Sequence, residues 1–339
     1  DPDNQPLPFI IQDSIQVSYN GNKKTVQLEA WGQNAHFFRN KVISADEQWN
    51  NDLPYVILGS LYVDQDATLT INKGCHIYTH ADAPLIFDGT LVVNGDKDSA
   101  DRVYFQGDRL DDPYKYFPAA WPGIYFSTIS RDNILNYAVI KNAYQALALQ
   151  EPSVNSNPKL RLNQCIIDNA YDAGILSLNS SVTAVNTLVS NCGKNLLLVK
   201  GGNYQFAHCT VAGYSNNYIT HNDPVLLLTN YVTVNNSPVT AGLTAHFINC
   251  IFWGENGLVE DEVVVSKSGN GLFNAQFANC LWKVKNDPAN ITANAIINNQ
   301  PPLFDSVNNA KRYYDFHLTE NSPALEKGTL TGITGDIDG

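Results

Sequence analysis

"FINCIFWG" (247–254) places a cysteine inside a run of bulky apolar residues, and "FANCLWKV" (277–284) does so again 30 residues later with the same Asn-Cys pair. The motif has further copies. On one register the chain reads "LNYAVIKNA" (135–143), "LNQCIIDNA" (162–170), "VNTLVSNCG" (185–193) and "FAHCTVAGY" (206–214). The fourth position carries Ala138, Cys165, Thr187 or Leu188 depending on register, then Cys209, Cys250 and Cys280. The steps are 27, about 22, about 22, 41 and 30 residues, and self-similarity at such periods signals a solenoid.

Each copy is short, alternates in polarity and mixes β-branched with aromatic residues, the pattern of a strand. The gaps are too short for crossover helices, and no long helical stripe exists. The expectation is an all-β chain folded as a right-handed parallel β-helix solenoid of about ten coils at roughly 25 residues each. Each strand would stack about 4.8 Å above its equivalent. Asn, with 40 residues, suits the corners because it tolerates positive φ. Asn136, Asn163, Asn249 and Asn279 would line one corner, and Asn142, Asn169 and Asn191 the next. "GSLYVDQDATLTI" (59–71) and "GTLVVNGDKDSADRVYF" (89–105) extend the pattern toward the N-terminus.

The motif cysteine then points inward, in a core stack of Ala138, Cys165, Cys209, Cys250 and Cys280. Cysteine is a small apolar filler there. Stacked neighbours pointing the same way have poor geometry for a disulfide, so free, unreactive thiols are expected. Open solenoid ends need caps. Residues 1–53 read as an N-terminal cap, with a β-hairpin over 9–31 turning at Asn20-Gly21-Asn22. Residues 54–304 read as the parallel β-helix and 305–339 as a C-terminal closing segment.

The 339 residues carry a net charge of −12. With no basic face, nucleic acid is not an expected partner. No apolar run is long enough to span a membrane. The cysteines form no C-x-x-C pair, and the seven histidines are scattered. His76 and His80 would lie on one strand face, too far apart to chelate. Asp336 and Asp338 in "GDIDG" read as a polar turn rather than a calcium loop. Neither metal nor cofactor is expected.

The segment "GDRLDDPYKYFPAAWPGIYF" (107–126) stands outside the repeat. It joins carboxylates to aromatics, as a sugar-binding platform does. Asp108, Arg109, Asp111, Asp112, Tyr114, Tyr116 and Trp121 are therefore the candidate ligand-binding residues. The competing arrangement is a loop folded down on the strands, its rings covering apolar surface, with Trp121 purely structural.

"PYVILGSLYVDQDATLTINKGCHIYTHADAPLIFDGTLVVNG" (54–95), the 107–126 loop, "SSVTAVNTLVSNCGKN" (180–195) and "GGNYQFAHCTVAGYSNNY" (201–218) together resemble uncharacterised right-handed parallel β-helix surface lipoproteins of Gram-negative gut and oral anaerobes. The resemblance spans about Gln12 to Gly339. It implies the fold, export, and an outer-membrane anchor through a lipid-modified cysteine upstream of Asp1. It implies no activity.

An enzyme reading, polysaccharide lyase or glycoside hydrolase, requires acids and bases converging in a groove along the strands. None of Arg102, Arg109, Arg131 and Arg161 sits in a repeated acidic pattern. Asp111-Asp112 is the single adjacent acidic pair in a plausible groove, and such pairs are commonly just solvated. The expectation leans away from catalysis, toward a cell-surface protein that binds polysaccharide or glycan or acts as a scaffold. A purely structural or adhesive surface protein is the remaining alternative.

Overall fold

In the computed structural model, residues 9–32 and 34–338 are described. The first eight residues of the expected cap, and any anchor ahead of them, lie outside this range. The described chain is all-β. A single 3-10 turn, Tyr114–Tyr116, is its only helical element.

One sheet of 26 strands holds most of the chain, and its pairing is parallel. It resolves into three ladders, a pattern consistent with a β-solenoid. In the first, Ile77, Phe105, Ile140, Ile167, Val189, Val211, Phe252 and Trp282 are successive partners. In the second, Phe87, Phe126, Leu149, Ser177, Leu198, Leu228 and Val265 follow one another. The third runs Val93, Leu135, Leu162, Ala184, Phe206, Phe247 and Phe277.

The alternating sequence explains the burial. In Tyr55–Val63, Leu85–Phe87 and Val103–Gly107, every second side chain turns inward. The inward side chains of all three ladders join one apolar cluster, from Ile43 to Val284. Each fully buried Leu or Phe contributes about 1.5–3 kcal/mol. Phe247 stacks between Phe206 and Phe277 at 5.3 and 4.7 Å.

The cysteine register is settled by the strand pairing. Thr210 faces Ile251, and Ile251 faces Leu281, which sets Cys209, Cys250 and Cys280 on successive rungs. By the same register Thr187, not Leu188, stands between Cys165 and Cys209. Cys75 belongs to this line too, beyond Val103. All six cysteines are free and buried. Each stacked thiol leans on a carbonyl of the preceding rung: Cys165 on Leu135, Cys209 on Ala184, Cys250 on Phe206 and Cys280 on Phe247, at 3.2–3.6 Å. Burial pushes Cys165 up to about 12 and holds Cys250 and Cys280 well above the ordinary thiol range.

From Ala138 onward, the residue before each stacked position takes left-handed backbone. Tyr137, Gln164, Asn186, His208, Asn249 and Asn279 have φ between 45° and 56°. Asn136 and Asn163 therefore precede the bend rather than occupy it, and their amides bond to each other at 2.8 Å. Asn142, Asn169 and Asn191 do take positive φ at the next corner, and Asn169 Nδ2 donates to Asn142 Oδ1 at 2.7 Å.

At the N-terminal end, Phe9–Tyr19 and Asn22–Gly32 form an antiparallel hairpin. Its turn uses positive φ at Asn20 and Gly21, as two-residue hairpins require. The parallel ladders begin at His36, well ahead of Pro54, because His36–Ile43 pairs with Tyr55–Val63 and Glu47–Trp49 with Thr68–Asn72. The sequence pattern places those strands in the cap. Their alternation is weak, since Phe37 and Val42 face outward.

At the other end the ladders stop near Asn298, and Phe304–Asn308 pairs antiparallel with Tyr313–Leu318. This hairpin covers the outer face of the first ladder. Phe304, Tyr314, Phe316 and Leu318 pack on Ala212, Tyr214, Ile251, Trp253 and Leu281, a second apolar cluster outside the core. The chain then runs back along the corner of the ladders. Asn279 Nδ2 donates to Lys327 O at 2.8 Å, Asn249 Nδ2 to Thr329 O at 2.8 Å, and Asn186 Nδ2 to Gly335 O at 2.5 Å. His208 Nε2 lies 2.7 Å from Thr331 Oγ1. Arg102 ends the series, donating to Ile337 O at 2.8 Å and pairing with Asp338 at 3.2 Å.

One buried cation braces the connections between the second and third ladders. Lys159 is fully buried, and its ammonium donates to Ser127 O, Thr128 O and Gln150 O at 2.7, 3.0 and 2.6 Å. All three N–H bonds are thereby used.

Candidate functional site: a cleft under the 107–126 loop

The loop leaves Val103–Gly107 and returns as Trp121–Phe126. Its charges are mostly matched locally. Asp108 Oδ2 lies 2.6 Å from His80 Nδ1. Arg109 grips Asp111 with two bonds of 2.9 Å and stacks on Tyr114 at 3.8 Å. Lys115 Nζ donates to Asp112 at 3.1 Å. The Arg109 guanidinium holds the Asp111 carboxyl below its usual range. Asp108 is thus engaged by His80, and Arg109, Asp111 and Asp112 by ion pairs, and none of the four lines the cleft beneath the loop. Trp121 is 1 % exposed and donates from Nε1 to Lys141 O at 2.8 Å, so it serves the core rather than a platform. Tyr114 and Tyr116 remain exposed on the loop.

The loop is pinned by the corner asparagines. Asn142 Nδ2 donates to Lys115 O at 2.8 Å, and Asn169 Nδ2 to Tyr116 O at 3.1 Å. This fixes Tyr116 over a cavity of about 430 Å³, a common size for ligand pockets. The first ladder supplies its floor through Lys141, Asp168 and Asn191. The turn at Tyr218 and the C-terminal hairpin, through Arg312 and Tyr314, supply the far walls.

Arg312 knits these segments together. Its guanidinium lies 4.8 Å from the Tyr116 ring and 4.5 Å from the Tyr218 ring, and Nη2 donates to the Tyr218 hydroxyl at 2.6 Å. Phe117 braces Tyr218 at 4.9 Å. Below them, Asp168 Oδ1 accepts from Ser190 Oγ at 2.7 Å and from Asn191 Nδ2 at 3.1 Å. A carboxylate only accepts, so this contact fixes which way the Asn191 amide points. Asn191 is 2 % exposed, and its Oδ1 has no partner. Arg312 Nη1 and the Tyr314 hydroxyl are likewise buried without partners among the described residues. Burial raises Tyr314 above the ordinary phenol range, with Asp168 adding to it.

Of the seven residues singled out from sequence, Tyr116 alone lines this cleft. Tyr218, Arg312, Tyr314, Lys141, Asp168 and Asn191 carried no sequence signal beyond the repeat register of the last three.

The described residues hold no group of three or more His, Cys, Asp and Glu side chains placed for a metal. His76 stacks on Tyr104 at 4.9 Å. Asp338 is engaged by Arg102 and by His317 at 2.7 Å. A buried acid–histidine pair lies elsewhere: His221 Nε2 sits 2.9 and 3.1 Å from the two Glu262 oxygens, at 3 % and 0 % exposure. Glu262 Oε2 also accepts from Val225 N at 3.3 Å. The pair fits against bare backbone, since a Cβ on Gly254 would collide with both partners.

No protein-family model, curated protein or solved structure matches the chain.

Proposed function

We propose that this chain is a right-handed parallel β-helix that binds glycan in the cleft between Tyr116, Tyr218 and Arg312. The right-handed sense is taken from the sequence resemblance and accords with the usual hand of connections between parallel strands. The cleft carries the functional reading: it offers ring faces for sugar C–H surfaces and unpartnered polar atoms for hydroxyls. Buried polar atoms are nearly always satisfied, so three orphans around one cavity favour an occupant that supplies the missing partners. The protein is read as exported and tethered to the outer membrane as a cell-surface lipoprotein, on the sequence resemblance.

Glycan-array screening of the purified chain tests the binding, with the Tyr116→Ala/Tyr218→Ala double variant as comparison. Binding should fall at least tenfold in the variant, as loss of two stacking faces costs roughly 1–3 kcal/mol. An array with no binders, or a variant that binds like the parent, would sink the proposal.

A further inference from the structure

We infer that the cleft selects an anionic sugar, one bearing a carboxylate or sulfate, with Arg312 and Lys141 holding the charge. This rests on the glycan reading above and narrows it. Arg312 is half-buried, and among the described residues no carboxylate forms an ion pair with it. The chain has 33 Asp and Glu against 21 Lys and Arg, so acids are not scarce. A desolvated cation is normally paired, yet this guanidinium is held by the Tyr116 and Tyr218 rings and the Tyr218 hydroxyl.

Lys141 repeats the pattern. It stands on the first ladder opposite Asp168, lines the same cavity, and its ammonium has neither an ion pair nor a hydrogen bond among the described residues. Asp168 Oδ1 accepts from Ser190 and Asn191, and among the described residues its carboxylate makes no direct ion pair with Lys141. Two uncommitted cations therefore face one cavity in a chain of net charge −12.

Asn191 supplies the other half of the argument. Its orphan Oδ1 accepts and cannot donate, so it calls for a hydroxyl or N–H from the occupant. A bare inorganic anion leaves that oxygen unsatisfied. A neutral sugar leaves Arg312 uncompensated. An acidic sugar satisfies both: the anion takes the free edge of the guanidinium and Lys141, and a ring hydroxyl donates to Asn191.

The test is calorimetric titration of the full chain with five probes. Digalacturonate and sialyl-lactose are anionic, cellobiose and lactose neutral, and sodium sulfate is the inorganic control. The expected result is binding of at least one anionic sugar, at least tenfold tighter than the neutral ones and weakening with salt. Lys141→Met and Arg312→Gln should each weaken it roughly tenfold, the scale of one charge-assisted contact. The Lys141 ammonium has no partner among the described residues, so its variant should melt like the parent even if Arg312→Gln loosens the hairpin. Equal binding of neutral and anionic sugars, unchanged in Lys141→Met, overturns the anionic preference and leaves glycan binding standing. Sulfate binding without any sugar, or no binding by any probe, overturns both.

Discussion

Asn249 and Thr329 are 80 residues apart and exchange two hydrogen bonds: Asn249 Nδ2 donates to Thr329 O at 2.8 Å, and Thr329 N donates to Asn249 Oδ1 at 2.9 Å. A corner side chain here behaves like a strand edge toward the returning chain. Asn249→Ala removes both bonds and should cost about 1–2 kcal/mol. Amide exchange in residues 327–338 should speed up while the ladders stay protected. Unchanged exchange would show that the other corner contacts hold the segment unaided.

The same segment carries a pH-dependent clasp. His317 lies 2.5 Å from Asp315 and 2.7 Å from Asp338. Asp315 and Asp338 raise His317 above its usual 6.5, and His317 helps lower Asp315 below 3.8. A raised histidine stabilises the fold fully below its unfolded value and loses that contribution as pH rises through its folded value. A lowered carboxylate contributes above its unfolded value and loses it as pH falls through its folded one. The clasp should therefore be strongest between about pH 4 and 6.5. The melting-temperature gap between parent and His317→Gln should peak there and close as pH rises through the raised histidine value. A gap independent of pH would assign His317 a packing role instead.

The sequence makes the ladders legible because each rung repeats the last: one inward apolar residue at a fixed place in the motif marks it. Cys75 escapes that reading because Val103 and Ala138 interrupt the cysteines between it and Cys165. The corner asparagines are legible as a type, but Asn136 and Asn249 differ in position by one residue, which composition cannot resolve. The cleft is hardly legible at all. Tyr116, Tyr218 and Arg312 lie on three segments with no shared period, and they meet only because the C-terminal hairpin folds back on the first ladder. The apolar residues that seat it, Ala212, Trp253 and Leu281, look in sequence like ordinary strand positions.

Thiol chemistry tests the cysteine stack. All six cysteines are buried, and burial raises the thiols for which a shift is resolved. Reaction requires thiolate and access, so a thiol-specific chromophoric reagent should label none in native protein and six in denaturant. Cys250→Ala should fold and lose about 1 kcal/mol to the small cavity. Rapid native labelling at Cys250 would show that the stack is open to solvent.

The His221–Glu262 pair depends on a residue with no side chain. Gly254→Ala forces a Cβ into the carboxylate and the imidazole at once. The result should be a loss of about 3 kcal/mol, the scale of a broken buried network. Gly271→Ala, where a Cβ meets nothing within 4 Å, is the control and should shift stability by less than about 0.5 kcal/mol. Equal effects from the two would remove the pair from any stabilising role.

Lys159 gives the sharpest test of a buried charge in this fold. Burial pushes its amine down to about 8, so at neutral pH it still carries a proton for each of three carbonyls. Lys159→Met keeps most of the apolar stem and deletes every donor. Ser127, Thr128 and Gln150 then lose a donor to their carbonyl oxygens at once, which should cost about 3 kcal/mol. Removing the charge also removes its desolvation penalty, which opposes that loss. The hydrogen bonds should win, because the ammonium is fully satisfied and the methionine can satisfy none of them. Urea titration at pH 7 reads the balance directly. A Met variant as stable as the parent would mean that desolvation cancels the three bonds.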